Sequence, residues 1–443
     1  MKSLLLPILI GSLICPTAAV AQETPAVVID PAAAAADGLT LREAVLIALA
    51  ENPSAARARS EVDLAASQVR GTRAAILPQV YLNGRYTRND REVAFDFDGT
   101  EVSILPADDW STSVTLSQPV YAGGRELKAI RQARLNVERS SEAATQTESD
   151  VLFDLAASYL NVLSAETLVG VEEQNVQVAT RQRRQAEDFY SVGEVTRIDV
   201  LRAESSIKSA ERQLAAATQA REAAASLLRL SLGVDVPVRL ERPELDLPPL
   251  PAESELIAMA QARRPETRRA GIALEIADLE VRKQRGAYLP LVTAQATYTQ
   301  QASTFPSDHY GAVTLNFSVP VFTSGEIGSR VATAAEQEKQ AHLALEQVRQ
   351  VVTEDVRRAL VALETARTAI ALATDQRHAA EAEYEQIFEL YRAQEATSLD
   401  VHSAESALAE ARRAVVQTTL DRDLAELQVW YAAGALKPVL LNE

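Results

Sequence analysis

Tyr190-Ser191-Val192-Gly193-Glu194-Val195-Thr196-Arg197-Ile198-Asp199-Val200 returns later in the chain as Tyr391-Arg392-Ala393-Gln394-Glu395-Ala396-Thr397-Ser398-Leu399-Asp400-Val401, at an offset of 201 residues. Working outward, the same offset relates Gln118-Pro119-Val120-Tyr121 to Val319-Pro320-Val321-Phe322. Further upstream Asn52-Pro53 is echoed by Arg264-Pro265 and Leu77-Pro78 by Leu289-Pro290, now at an offset of 212. Ordered echoes of this kind mark a duplicated chain. The change of offset places an 11-residue excess in the first copy between Pro78 and Pro119, where a surface loop is expected to absorb it.

Both copies carry the same succession of patterns. A short helix (40–51, then 253–264) precedes a 24-residue helical stretch (54–77 and 266–289) that stops at Leu-Pro. Two strands follow, at about 79–90 and 110–122 in the first copy and 291–303 and 310–322 in the second. Long stretches with scarcely a Gly or Pro then predict helices over 125–190 and 326–391, and the repeated turn leads into helices over 197–231 and 398–432. The domain reading is therefore a first repeat at 39–232, a connector at 233–252, a second repeat at 253–434 and a C-terminal tail at 435–443.

The strands carry the environment in their alternation. Val313, Leu315, Phe317 and Val319 alternate with Thr314, Asn316 and Ser318, and Val292, Ala294, Ala296 and Tyr298 alternate with Thr293, Gln295 and Thr297. One apolar face and one small polar face is the pattern of a strand between lipid and water. Four strands per chain do not close a barrel, which needs about eight, so several chains must contribute. A helix of 66 residues is about 100 Å long, and the two shorter helices of each repeat together nearly match it.

The chain has 443 residues and a net charge of −17, which argues against a nucleic-acid partner. Residues 1–21 begin with Lys2, continue through the apolar run 4–14 and end at Ala19-Val20-Ala21, which reads as a secretory signal, with 22–38 as a linker. The one cysteine, Cys15, lies in that leader. No nucleophile–base set, P-loop or paired metal-ligand spacing is present, so the reading is a non-enzyme without cofactor or metal.

At this point the chain resembles the TolC family of outer-membrane efflux channels over residues 39–434. The carriers are Leu39-Thr40-Leu41-Arg42-Glu43-Ala44, Asn52-Pro53, Leu77-Pro78, Gln118 to Gly124 and Tyr190 to Glu204, in that order. The resemblance implies a mainly α chain with a small β part. It implies a homotrimer whose twelve strands form a barrel in outer-membrane lipid, continued by a helical barrel in the periplasm of a Gram-negative bacterium. It also implies docking to a periplasmic membrane-fusion adaptor and an inner-membrane pump of RND or ABC type. The expected role is an exit duct for small toxic compounds; the exit duct of a type I protein secretion system has the same fold. A periplasmic coiled-coil or adaptor protein would lack the duplicated strand pairs.

The turns hold the candidate site. Thr196-x-x-Asp199 and Thr397-x-x-Asp400 match the capping box that satisfies free N–H groups at a helix start. Asp199, Asp400, Glu194 and Glu395 are also candidates for carboxylate rings around a narrow periplasmic mouth, which would favour cations. Tyr190, Gly193, Thr196, Arg197, Tyr391, Arg392 and Thr397 complete the gate or adaptor-contact turn. Channels of the resembled family keep the mouth closed with a Tyr and an Arg near the second turn. Tyr391 is retained, Gln394 stands in place of a Gly and Ala396 in place of the Arg, which leaves Arg197 or Arg392 to substitute.

Overall fold

The computed structural model describes residues 38–97, 99–234, 240, 247–303 and 308–441. The expected signal, nearly all of the linker and much of the connector lie outside these residues. The first repeat runs α1 (Leu41–Glu51), α2 (Pro53–Ala74), β1 (Gln79–Arg88), β2 (Val93–Phe97), β3 (Thr100–Leu105), β4 (Asp108–Ala122), α3 (Arg125–Ser191) and α4 (Arg197–Leu232). The second runs α5 (Glu253–Arg263), α6 (Pro265–Arg285), a 3-10 turn (Gly286–Tyr288), β5 (Leu291–Gln301), β6 (His309–Ser318), α7 (Glu326–Arg392) and α8 (Ser398–Ala432).

The chain after Gly434 is not a tail. Leu436–Leu441 forms a short helix, α9, whose Leu436, Leu440 and Leu441 are buried. Six residues containing Pro438 have little helical tendency alone, and packing against α1 and α3 supplies what propensity does not. The extra length of the first repeat is also more ordered than a plain loop. Its backbone pairs as the antiparallel hairpin β2–β3, with Phe95 opposite Val102.

Helix starts follow local chemistry. Thr40 and Glu43 form a capping box on α1, with the Thr40 N–H donating to Glu43 Oε2 at 3.0 Å. Asn52 caps α2 by accepting from the Ser54 N–H at 2.8 Å, and its Nδ2 donates to the Ser231 carbonyl at 2.8 Å. At the equivalent position of the second repeat, Arg264 reaches Glu266 and Asp355 at 2.7 and 2.9 Å. One junction is solved by an amide and its copy by an ion pair.

α3 and α7 each have 67 residues, about 100 Å of helix. α2 and α4 lie end to end along α3, α6 and α8 along α7, and α3 also packs on α6 and α8, so the two repeats stand side by side. The core gathers near mid-column. There Leu152, Leu155 and Tyr159 of α3 meet Val45 of α1, Leu228 and Leu232 of α4, Leu427 of α8 and Leu436 of α9. The Tyr159 hydroxyl donates to the Leu39 carbonyl at 2.8 Å, so the buried phenol is satisfied. No described helix is long and apolar enough to cross a membrane.

All strands of the main sheet sit at one end of the column, in the antiparallel order β1-β4-β5-β6. The register aligns Val80, Leu116, Ala296 and Val313 across the sheet, and Leu82, Val114 and Tyr298 beside them. This apolar face lies open: Val80, Leu82, Val313, Leu315 and Phe317 are each more than 60% exposed. Thr115 and Thr297 hold the opposite face, hydroxyl to hydroxyl at 3.4 Å. Where β4 gives way to α3, Gly123 adopts φ +67°, and a Cβ there would stand 2.1 Å from the Gly286 carbonyl oxygen. The two repeats thus touch backbone to backbone just beneath the sheet, which only glycine permits.

Candidate functional site

At the far end of the column, two turns lie against each other. The α3–α4 turn closes with the Glu194 N–H donating to the Phe189 carbonyl at 2.9 Å, and Gly193 takes φ +81°. The α7–α8 turn repeats this, with Glu395 donating to Leu390 at 2.8 Å, but Gln394 must adopt φ +64° without being glycine.

Each turn ends in a capping box. The Thr196 N–H and hydroxyl donate to Asp199 Oδ2 at 3.0 and 2.7 Å. Thr397 does the same toward Asp400 at 2.9 and 2.6 Å, and the Asp400 N–H returns a bond to the Thr397 hydroxyl at 3.3 Å. Thr196, Asp199, Thr397 and Asp400 are therefore helix caps, whatever else they do.

Here the copies part. Asp400 is exposed and, among the described residues, bonds only its own box. Asp199 is half-buried, accepts a bond from the Ser398 hydroxyl of the other turn and lies 3.6 Å from Arg202, which itself donates to Ser398 at 3.3 Å. Burial pushes the Asp199 carboxyl up, but bonds from Ser398 and Thr196 and the Arg202 charge together outweigh it, so its pKa falls below the ordinary value. That of Asp400 is lowered by Thr397 alone, through side chain and backbone, against slight desolvation.

Tyr391 is buried against Phe189, ring centroids 5.6 Å apart, and joins the turns by an apolar contact. Its hydroxyl pKa is raised by burial and then by the nearby Asp199 charge. Tyr190, Gly193, Arg197, Glu194 and Glu395 are exposed. Arg392 pairs with Glu389 on its own helix at 3.1 Å, and Arg197 makes no ion pair among the described residues.

Sequence reasoning missed the polar seam that continues inward between α4 and α8. Ser206 donates to Glu405 Oε2 at 2.9 Å, and His402 Nδ1 stands 3.9 Å from the same oxygen. Deeper, Glu172 is 2% exposed and is held by the Arg413 guanidinium at 2.5 Å and by Asn175 at 3.1 Å. Its sequence signal is faint: polar residues recur at helical spacing on a face otherwise lined by small apolar side chains.

Two tips, a duplicated column and an apolar sheet face at the opposite end match one set of known proteins. The model of the outer membrane efflux protein family matches residues 45–234 and 256–435. The chain belongs to that family. The efflux protein BepC of Brucella suis is 25% identical over 64% of this chain and 64% of its own length. AprF of Pseudomonas aeruginosa, an alkaline protease secretion protein, is 28% identical over 42% of this chain and 38% of its own length. The chain thus spans less than two thirds of either relative. The CmeC outer membrane channel of Campylobacter jejuni has the same fold, with a TM-score of 0.75 at 18% identity, covering 90% of this chain and 86% of that one.

Proposed function

We propose that this efflux protein is the outer-membrane exit duct of a tripartite efflux system. Three copies would join their sheets into one twelve-stranded barrel in outer-membrane lipid, and their helices into a periplasmic tunnel about 100 Å long. The observation that carries this reading is the sheet: one face is apolar and exposed, and its outer strands β1 and β6 each have one edge unpaired among the described residues. Unpaired strand edges are not tolerated in hydrocarbon, so further copies must satisfy them. With the sheet in the membrane, hairpin β2–β3 faces outward and the paired tips point into the periplasm.

The tips are the proposed seat of a periplasmic membrane-fusion adaptor, which would link the duct to an inner-membrane pump of RND or ABC type. The duct is passive; the pump supplies the energy. The cargo proposed is small toxic compounds. BepC and OpmQ, a pyoverdine export protein, support efflux, and the name of AprF supports secretion of a protein as the second reading.

Asp199, Asp400, Glu194 and Glu395 are proposed to set the charge of the periplasmic mouth. Mass measurement in mild detergent together with single-channel recording tests the duct: a trimer with stable conductance is expected. A well-folded monomer that conducts nothing would refute it. Cysteines at Val192 and Ala393, both exposed at the tips, should cross-link to the adaptor in cells.

A further inference from the structure

The chain is acidic, at −17, yet the four helix ends beneath the main sheet are basic. Residues 68–78, 122–134, 280–290 and 323–335 hold ten Lys or Arg against three Glu. Arg282, Lys283 and Arg330 are neutralised within their own helices. The other seven make no ion pair among the described residues, and Arg73, Arg131 and Arg134 are three of them, all exposed.

These three share one groove of about 550 Å³ between the end of α2 and the start of α3. Its remaining wall is apolar, formed by Ile76, Leu127, Ile130 and Leu135, with Glu138 at the far end. Leu127 is 66% exposed and carries the apolar wall out to the surface. Just above, Leu77, Tyr121, Tyr288 and Phe322 stand exposed at the strand-to-helix boundary. Aromatic side chains followed by basic ones is the order in which a protein meets a membrane interface from the hydrocarbon outward.

We propose that the groove binds an anionic phospholipid of the periplasmic leaflet, its phosphate among the three guanidiniums and its acyl chain along Ile76, Leu127 and Ile130. The assignment rests on the outer-membrane seating proposed above. Arg131 lies six residues beyond the first residue of α3, about 9 Å below the sheet, and its flexible stem reaches back toward the headgroup layer. Guanidinium forks match phosphate oxygens bidentately, which favours a phosphodiester over a diffuse charge. The apolar wall argues for a lipid over free phosphate, which would leave it wet.

The test uses the purified full-length protein in nanodiscs of phosphatidylcholine with and without phosphatidylglycerol. Retained lipid is read by native mass spectrometry and thermal stability by scanning fluorimetry. The wild type is expected to retain phosphatidylglycerol over phosphatidylcholine about a hundred-fold, as three basic groups at an anionic surface allow, and to gain stability from it. Inorganic phosphate alone should give no gain. The triple variant R73Q/R131Q/R134Q should lose the preference, and R73K/R131K/R134K, which keeps the charge without the fork, should keep only part of it. Equal retention of both lipids by the wild type, or an unchanged preference in the glutamine variant, would overturn the proposal. So would loss of the trimer by the glutamine variant in lipid-free detergent, since the arginines would then meet a neighbouring subunit. If the wild type fails to enter nanodiscs at all, the outer-membrane seating itself is wrong.

Discussion

The Ser398 hydroxyl donates to Asp199 across the two helical tips, joining residues 199 positions apart in the chain. The counterpart of Asp199 in the other repeat, Asp400, has no such tie among the described residues. The duplication thus yields two caps of the same design, of which one also holds the repeats together.

Replacing each aspartate with asparagine separates these roles, because asparagine still caps a helix. Asp199→Asn should loosen both tips, by about 1 kcal/mol for a partly exposed charged bond, seen as faster hydrogen exchange in 190–205 and 391–405. Asp400→Asn should leave exchange unchanged but weaken cation preference in single-channel recordings. The pKa of Asp199 is lowered in the folded state, so its contribution is complete at neutral pH and lost only as pH falls through that lowered value. The tips should therefore hold at mildly acid pH and loosen in strong acid. Equal exchange in both variants would place the tie elsewhere.

Glu405 titrates the other way. Burial raises its pKa, offset in part by Ser206 and His402, and Tyr384 of α7 also faces it. A raised folded-state value means that charging it opposes folding, so stability should grow as pH falls through that value. Glu405→Gln should raise the melting temperature at pH 8 and change little at pH 4. A lower melting temperature at pH 8 would mean that the Ser206 bond outweighs the burial cost.

Gln394 and Ser324 hold left-handed backbone, φ +64° and +50°, where the first repeat has Gly193 and Gly123. Gln394→Gly and Ser324→Gly should each stabilise the protein by about 1 kcal/mol, measured by thermal or denaturant unfolding. Gly123→Ala should abolish assembly, because its Cβ has no space beside Gly286.

Arg413 holds the buried Glu172 carboxylate. Arg413→Ala should cost about 3 kcal/mol by stranding that charge, and adding Glu172→Gln should recover most of it. A double-mutant cycle without coupling would show that Asn175 alone satisfies Glu172.

Leu315 and Thr314 are sequence neighbours on opposite faces of β6. Leu315→Arg should cost about 2–4 kcal/mol of membrane stability, while Thr314→Arg should fold and alter conductance. The reverse ranking, read from heat-modified mobility of the assembled protein, would invert the sheet.

Alternation in 292–299 and 313–319 and the echoed turns made the strands and the double column legible, because both signals are local. Capping boxes were legible for the same reason. The Ser398 tie, the Arg413–Glu172 pair and helix α9 were not. Each depends on a partner more than a hundred residues away, and neither a lone serine nor a short Leu-Lys-Pro-Val-Leu-Leu stretch announces one. Tyr391 was singled out by resemblance, but its contact with Phe189 was visible only in three dimensions.

The sheet order β1-β4-β5-β6 has a consequence for biogenesis. β4 pairs with β5, bringing Ser111 beside Gln301, so no sheet larger than a hairpin exists until most of the polypeptide has been made and exported. Even then β1 and β6 each keep one open edge, which on the proposed trimer reading other chains saturate. On that reading maturation is a concentration-dependent reaction, and a chain arriving alone stays sticky along two borders. Partial synthesis of one repeat would give only the pair β1–β4 or β5–β6, so on the trimer reading proposed above the duplicated gene behaves in assembly as a single unit.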